Sequence, residues 1–91
     1  MKTKMITVTQ EDIDLGERES YCKCPVARAV RRAFGARKNR RITVRQEAIL
    51  IGGDRDERLW AALTPGSVQD FLDRFDRGLT VKPFSTTILF Q

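Results

Sequence analysis

Arg40-Arg41-Ile42-Thr43-Val44-Arg45-Gln46-Glu47-Ala48-Ile49-Leu50-Ile51 is the segment on which the fold turns. Apolar and polar side chains alternate along it, the period-two signature of a half-buried strand. Read as one long strand, it sets Ile42, Val44, Ala48 and Leu50 on one face. Thr43, Arg45, Glu47 and Ile49 then occupy the other, and Gln46 is a polar interruption at a bulge or an edge. Gly52-Gly53-Asp54 marks a turn, and a charged tip leads into a second strand over Arg58–Thr64. There Leu59, Ala61 and Leu63 alternate with Arg58, Trp60 and Ala62. This is a hairpin, and the fold is built outward from it.

Upstream, Pro25 suits the first position of a helix, where its missing N–H costs nothing. Val26, Ala29, Val30 and Ala33 follow at helical spacing, with Arg28, Arg31 and Arg32 off the stripe and Gly35 as the C-terminal cap. Downstream, Thr64 and Pro65 open a second helix whose stripe is Val68, Phe71, Leu72 and Phe75, and Gly78 closes it. Outer strands are expected at Met5–Thr9 and from Val81 to Phe90. Gln10–Lys23 reads as a long loop with a helical turn at Glu11–Leu15. The order is β-α-β-β-α-β. It predicts an α+β single domain over residues 1–91, with two helices on one face of a four-stranded antiparallel sheet, in the ferredoxin-like manner. The expected core is Ile6, Val8, Val26, Ala29, Val30, Ala33, Val44, Leu50, Leu59, Leu63, Val68, Phe71, Leu72, Phe75 and Ile88.

Composition narrows the function. At 41% hydrophobic and 32% charged residues the chain is too apolar for a disordered tail. Its longest apolar runs, Ala48–Ile51 and Trp60–Leu63, are far too short to span a bilayer. No basic stretch precedes an apolar run at the N-terminus, so no signal peptide is expected. The chain has no histidine, which excludes every histidine-dependent triad, and its two cysteines cannot complete a four-ligand zinc site. No nucleophile stands beside a base. We therefore expect no enzyme, no metal and no cofactor, and a cytoplasmic location, since the cysteines form no disulfide framework.

Those cysteines, Cys22 and Cys24, have two readings. Cys24 just before a helix and among arginines fits a reactive thiol of lowered pKa. Equally, one cysteine packs under the helix and the other is incidental. Asp54, Asp56 and Glu57 at the hairpin tip match no calcium loop.

Charge is the strongest signal. Net charge is +5, and between Ser20 and Gln46 lie nine basic residues and no acid. Arg28, Arg31 and Arg32 on the helix, followed by Arg37, Lys38, Arg40, Arg41 and Arg45, make a basic helix-plus-loop patch. Such a patch neutralises phosphates and gains affinity by counterion release. The alternatives are a solvated surface paired to the acidic run Glu11, Asp12, Asp14, Glu17 and Glu19, or a protein partner. The strand aromatics of an RNA-recognition motif are missing. Trp60 alone stands on a sheet, as a partner-binding anchor or under the N-terminal loop.

Thr7-Val8-Thr9-Gln10-Glu11-Asp12-Ile13, Cys24-Pro25-Val26-Ala27-Arg28-Ala29-Val30, Phe75-Asp76-Arg77-Gly78 and Val81-Lys82-Pro83-Phe84, taken together, resemble a family of short uncharacterised proteins from actinobacteria and their phages. The resemblance implies a small cytoplasmic accessory protein, of a bacterial host or of its phage, that binds or modulates and does not catalyse. It assigns no site residues. Two expectations follow: a binder of nucleic acid, DNA or RNA, through the basic patch, or an interaction module that engages or inhibits a host protein assembly.

Overall fold

The computed structural model describes residues 1–35, 40–53 and 58–91, and within them the Arg40–Ile51 segment is two strands. The chain runs β1 (Lys2–Val8), α1 (Gln10–Leu15), α2 (Pro25–Phe34), β2 (Arg41–Val44), β3 (Ala48–Gly52), β4 (Arg58–Leu63), α3 (Gly66–Asp76) and β5 (Phe84–Phe90). The long strand is broken at Arg45-Gln46-Glu47. Here the Arg45 N–H donates to the Ala48 carbonyl at 2.9 Å, so β2 turns back on β3. Partners outside the hairpin hold this turn. Thr64 donates its hydroxyl to the Arg45 carbonyl at 2.8 Å, and Gln69 donates its amide to the Gln46 carbonyl at 2.6 Å. Gln46 is therefore a turn residue docked on α3.

The turn inverts the parity of everything after it. Val44 pairs with Ile49 and Ile42 with Ile51, so inward residues are even-numbered on β2 and odd-numbered on β3. Ile49 then pairs with Ala62 and Ile51 with Trp60. Ile49, Ile51 and Ala62 are consequently buried, while Leu50, expected in the core, is only half-buried. Leu63, also expected there, is 85% exposed. A one-residue shift moves an entire side-chain set to the other face, which accounts for both corrections. The Leu59 side chain and the hairpin-tip acids Asp54, Asp56 and Glu57 lie outside the described residues.

The sheet is also divided. β1 and β5 pair antiparallel in full register, and β2, β3 and β4 form a separate three-stranded antiparallel sheet. Two hydrogen bonds, Ala61 N–H to Gln91 C=O (2.8 Å) and the reverse (2.7 Å), join the two. The expected single four-stranded, ferredoxin-like sheet is thus replaced by a two- plus three-stranded arrangement. The extra strand comes from the Arg45–Glu47 turn. An α+β architecture with antiparallel strands holds.

The helices form where the stripes place them. Cys24 caps α2, its sulfur accepting the Ala27 N–H at 3.4 Å, and Gly35 ends the helix at a left-handed φ of 59°. Thr64 is diverted to the hairpin, so α3 starts at Gly66 without a side-chain cap. Ile6, Val8, Val26, Val30, Ile42, Val68, Ile88 and Phe90 belong to one buried cluster, and Ala33 packs against it half-buried. Aromatic rings close its two ends: Phe34 meets Phe90 edge-on at 4.9 Å, and Phe71 lies 4.9 Å from Phe84. Full burial of each such aliphatic or aromatic side chain is worth roughly 1.5–3 kcal/mol. No helix among the described residues is long and apolar enough to cross a membrane.

Candidate nucleic-acid interface

The basic face of α2 is anchored by an acid that looks like surface in the sequence. Asp12, in the six-residue α1, is fully buried. Thr9 and Asp12 form a capping box: the Asp12 N–H donates to Thr9 Oγ1 at 3.2 Å, and the Thr9 N–H donates to Asp12 Oδ2 at 2.9 Å. Two arginines of α2 then reach the same carboxylate. Arg32 is bidentate, with Nη1 at 3.0 Å from Oδ1 and Nη2 at 2.6 Å from Oδ2. Arg28 donates Nε to Oδ1 at 3.3 Å, and its Nη2 lies 3.7 Å from Glu11. Arg32 Nη2 also donates to the Thr7 carbonyl at 2.9 Å, tying α2 to the end of β1. Burial by itself raises the Asp12 carboxyl. The Arg32 hydrogen bonds and charge and the Thr9 N–H outweigh it and hold the pKa at about 2, below the usual 3.8. The same bond raises Arg32.

Two of the eight expected patch residues, Arg28 and Arg32, therefore have a structural role first. Lys23 is likewise 3.9 Å from Glu17. Of the rest, Arg31, Arg40 and Arg41 lie where α2 ends and β2 begins. Arg31 donates Nη2 to the Arg40 carbonyl at 2.9 Å, bringing the helix arginine to the entrance of β2, next to Arg41. At the far end of β2, the Arg45 guanidinium stacks over the Tyr21 ring at 4.9 Å. The Tyr21 backbone is held beside β2, its carbonyl accepting the Val44 N–H at 2.8 Å. An open groove of about 820 Å³ runs along α2, lined by Leu15, Glu17, Cys22, Lys23 and the α2 arginines. Arg37 and Lys38 lie outside the described residues.

The other candidate features resolve differently. Cys24 is buried, and that burial pushes its thiol pKa up, so the reactive-thiol reading fails for it. Cys22 is exposed and free. Trp60 is on the inward parity of β4 and packs half-buried against the core, with the Lys2 ammonium 5.7 Å from its ring centroid. Among the described residues, the large apolar side chains exposed on the strands are Leu63, Leu89 and Met5. Leu63 and Leu89 flank a groove of about 690 Å³ where the two sheets part. Among the described residues no group of acids and cysteines is placed to hold a metal ion, and no buried side-chain polar atom lacks a partner.

Tyr21 is the residue missed from sequence; Asp12 was expected only as one of the acidic run that could neutralise the arginines, and that alternative holds for Arg28, Arg32 and Lys23, which pair with Asp12, Glu11 and Glu17. Asp12 carried a legible signal, the Thr9-x-x-Asp12 spacing of a capping box. Tyr21 carried none, since its importance depends on which strand the loop crosses. No family model, curated protein or solved structure matches this chain.

Proposed function

We propose that this protein is a small non-enzymatic accessory protein that binds nucleic acid, DNA or RNA, through the basic surface at the junction of α2 and β2. The observation that carries this reading is the Arg31–Arg40 contact. It holds the Arg31 guanidinium on the backbone at the entrance of β2, within a segment that contains no acid from Ser20 to Gln46. Phosphates bound at such a basic surface would add affinity through counterion release. Arg28 and Arg32, fixed on Asp12, give the helix a rigid seat and contribute partial charge at the rim.

The second reading, a module that engages a host protein assembly, is favoured by one observation: Leu63 stands 85% exposed on a sheet face with Leu89 and Met5. Salt separates the two. Fluorescence anisotropy with labelled DNA and RNA should show binding that falls linearly in log Kd against log salt. No binding to any oligonucleotide at about 50 mM salt would end the nucleic-acid reading and leave the protein-interaction one.

A further inference from the structure

The Tyr21–Arg45 stack points to the kind of nucleic acid. Resting on the nucleic-acid reading above, we infer that the bound strand is single, with one base stacked on the Tyr21–Arg45 pair and the adjoining phosphates on the arginines around Arg31 and Arg40. Tyr21 is 58% exposed, and its backbone is held to β2 because its carbonyl accepts the Val44 N–H. Arg45 lies over the ring and supplies a second planar, cationic surface for a base. Arg41 and Arg45 share the outward parity of β2 at its two ends, about 13 Å apart at strand rise. Cationic side chains beside an aromatic platform are how proteins hold unpaired bases. A duplex keeps its bases stacked inside and offers that ring nothing.

The test uses labelled oligothymidylate, the same sequence as a duplex with oligoadenylate, and the full chain. Tyr21→Ala should weaken binding to the single strand about tenfold or more. Duplex affinity and the salt slope should stay as they were, because every phosphate-facing arginine is still present. Tyr21→Phe should retain single-strand affinity. Tyr21 is the only tyrosine, so 3-fluorotyrosine labelling gives one ¹⁹F resonance, which should shift with the single strand and not with the duplex. If the unaltered chain binds oligothymidylate and Tyr21→Ala binds it equally well, with an unmoved resonance, the stacking site is refuted while the basic interface stands. If the unaltered chain binds neither form, the parent reading fails and this one with it.

Discussion

Removing the Asp12 carboxylate should be among the most damaging polar changes available, and its cost should depend on pH in a fixed direction. A carboxyl whose pKa falls from 3.8 to about 2 on folding contributes about 2 kcal/mol at neutral pH. Because the folded value is the lower one, this contribution is complete above pH 4 and is lost as pH falls toward 2. Asp12→Ala also deprives the Thr9 N–H of its acceptor, a capping loss of about 1 kcal/mol. The total, about 3 kcal/mol, is a large share of what a domain of this size has. Asp12→Asn keeps the shape but points an amide N–H₂ at arginine donors, and should cost about 2 kcal/mol. Urea unfolding of the native chain and Asp12→Ala, followed by circular dichroism at pH 7 and pH 2, measures this. The stability gap should be about 3 kcal/mol at pH 7 and should shrink by about 2 kcal/mol at pH 2. A gap that is the same at both pH values would show that the Asp12 charge, and hence its arginine pair, is not what holds α1 to α2.

Three further outcomes follow from the packing. Thiol titration of the folded protein should modify Cys22 promptly and Cys24 only on unfolding, because Cys24 is buried with its pKa raised by that burial; two promptly reacting thiols would contradict it. Leu63→Lys should change stability by less than about 0.5 kcal/mol, whereas Ala62→Lys should unfold the domain, a contrast that thermal melts would reverse if the hairpin kept the unbroken alternation. Gly16→Ala should destabilise by about 1–3 kcal/mol, since its Cβ would stand 2.6 Å from Pro25 Cδ and 2.7 Å from the Asp12 carbonyl oxygen; denaturant midpoints unchanged by this substitution would mean that α1 and α2 are less closely seated.

Local signals were legible where they decide local structure. Pro25 and Gly35 bound α2, Gly78 follows α3, and the stripe Val68, Phe71, Leu72 and Phe75 is buried as its spacing implies. The hairpin was not, because alternation alone cannot distinguish a long strand from two short ones joined by three polar residues. Arg45-Gln46-Glu47 satisfies both patterns until Thr64 and Gln69 supply its hydrogen-bond partners. That single ambiguity propagated through parity to Leu50, Leu63 and Trp60. The basic patch was legible as composition, but not its division into arginines seated on Asp12 and arginines gathered at β2. The acidic run Glu11–Glu19 was the expected alternative partner, but which of its acids is buried beneath which arginines is set by how α1 packs on α2.

The most direct test of the basic interface is the salt dependence of oligonucleotide binding by a variant in which Arg37, Lys38, Arg40 and Arg41 are all replaced by serine. Its melting temperature should stay close to that of the native chain, since the Arg31–Arg40 contact uses the Arg40 backbone carbonyl, which serine keeps. Affinity should fall, and the log–log salt slope should shrink by about 0.7 for each phosphate no longer neutralised on a single strand, or about 0.9 on B-form DNA. An equally folded variant with unchanged affinity and an unchanged slope would contradict the assignment of the α2–β2 surface as the binding site.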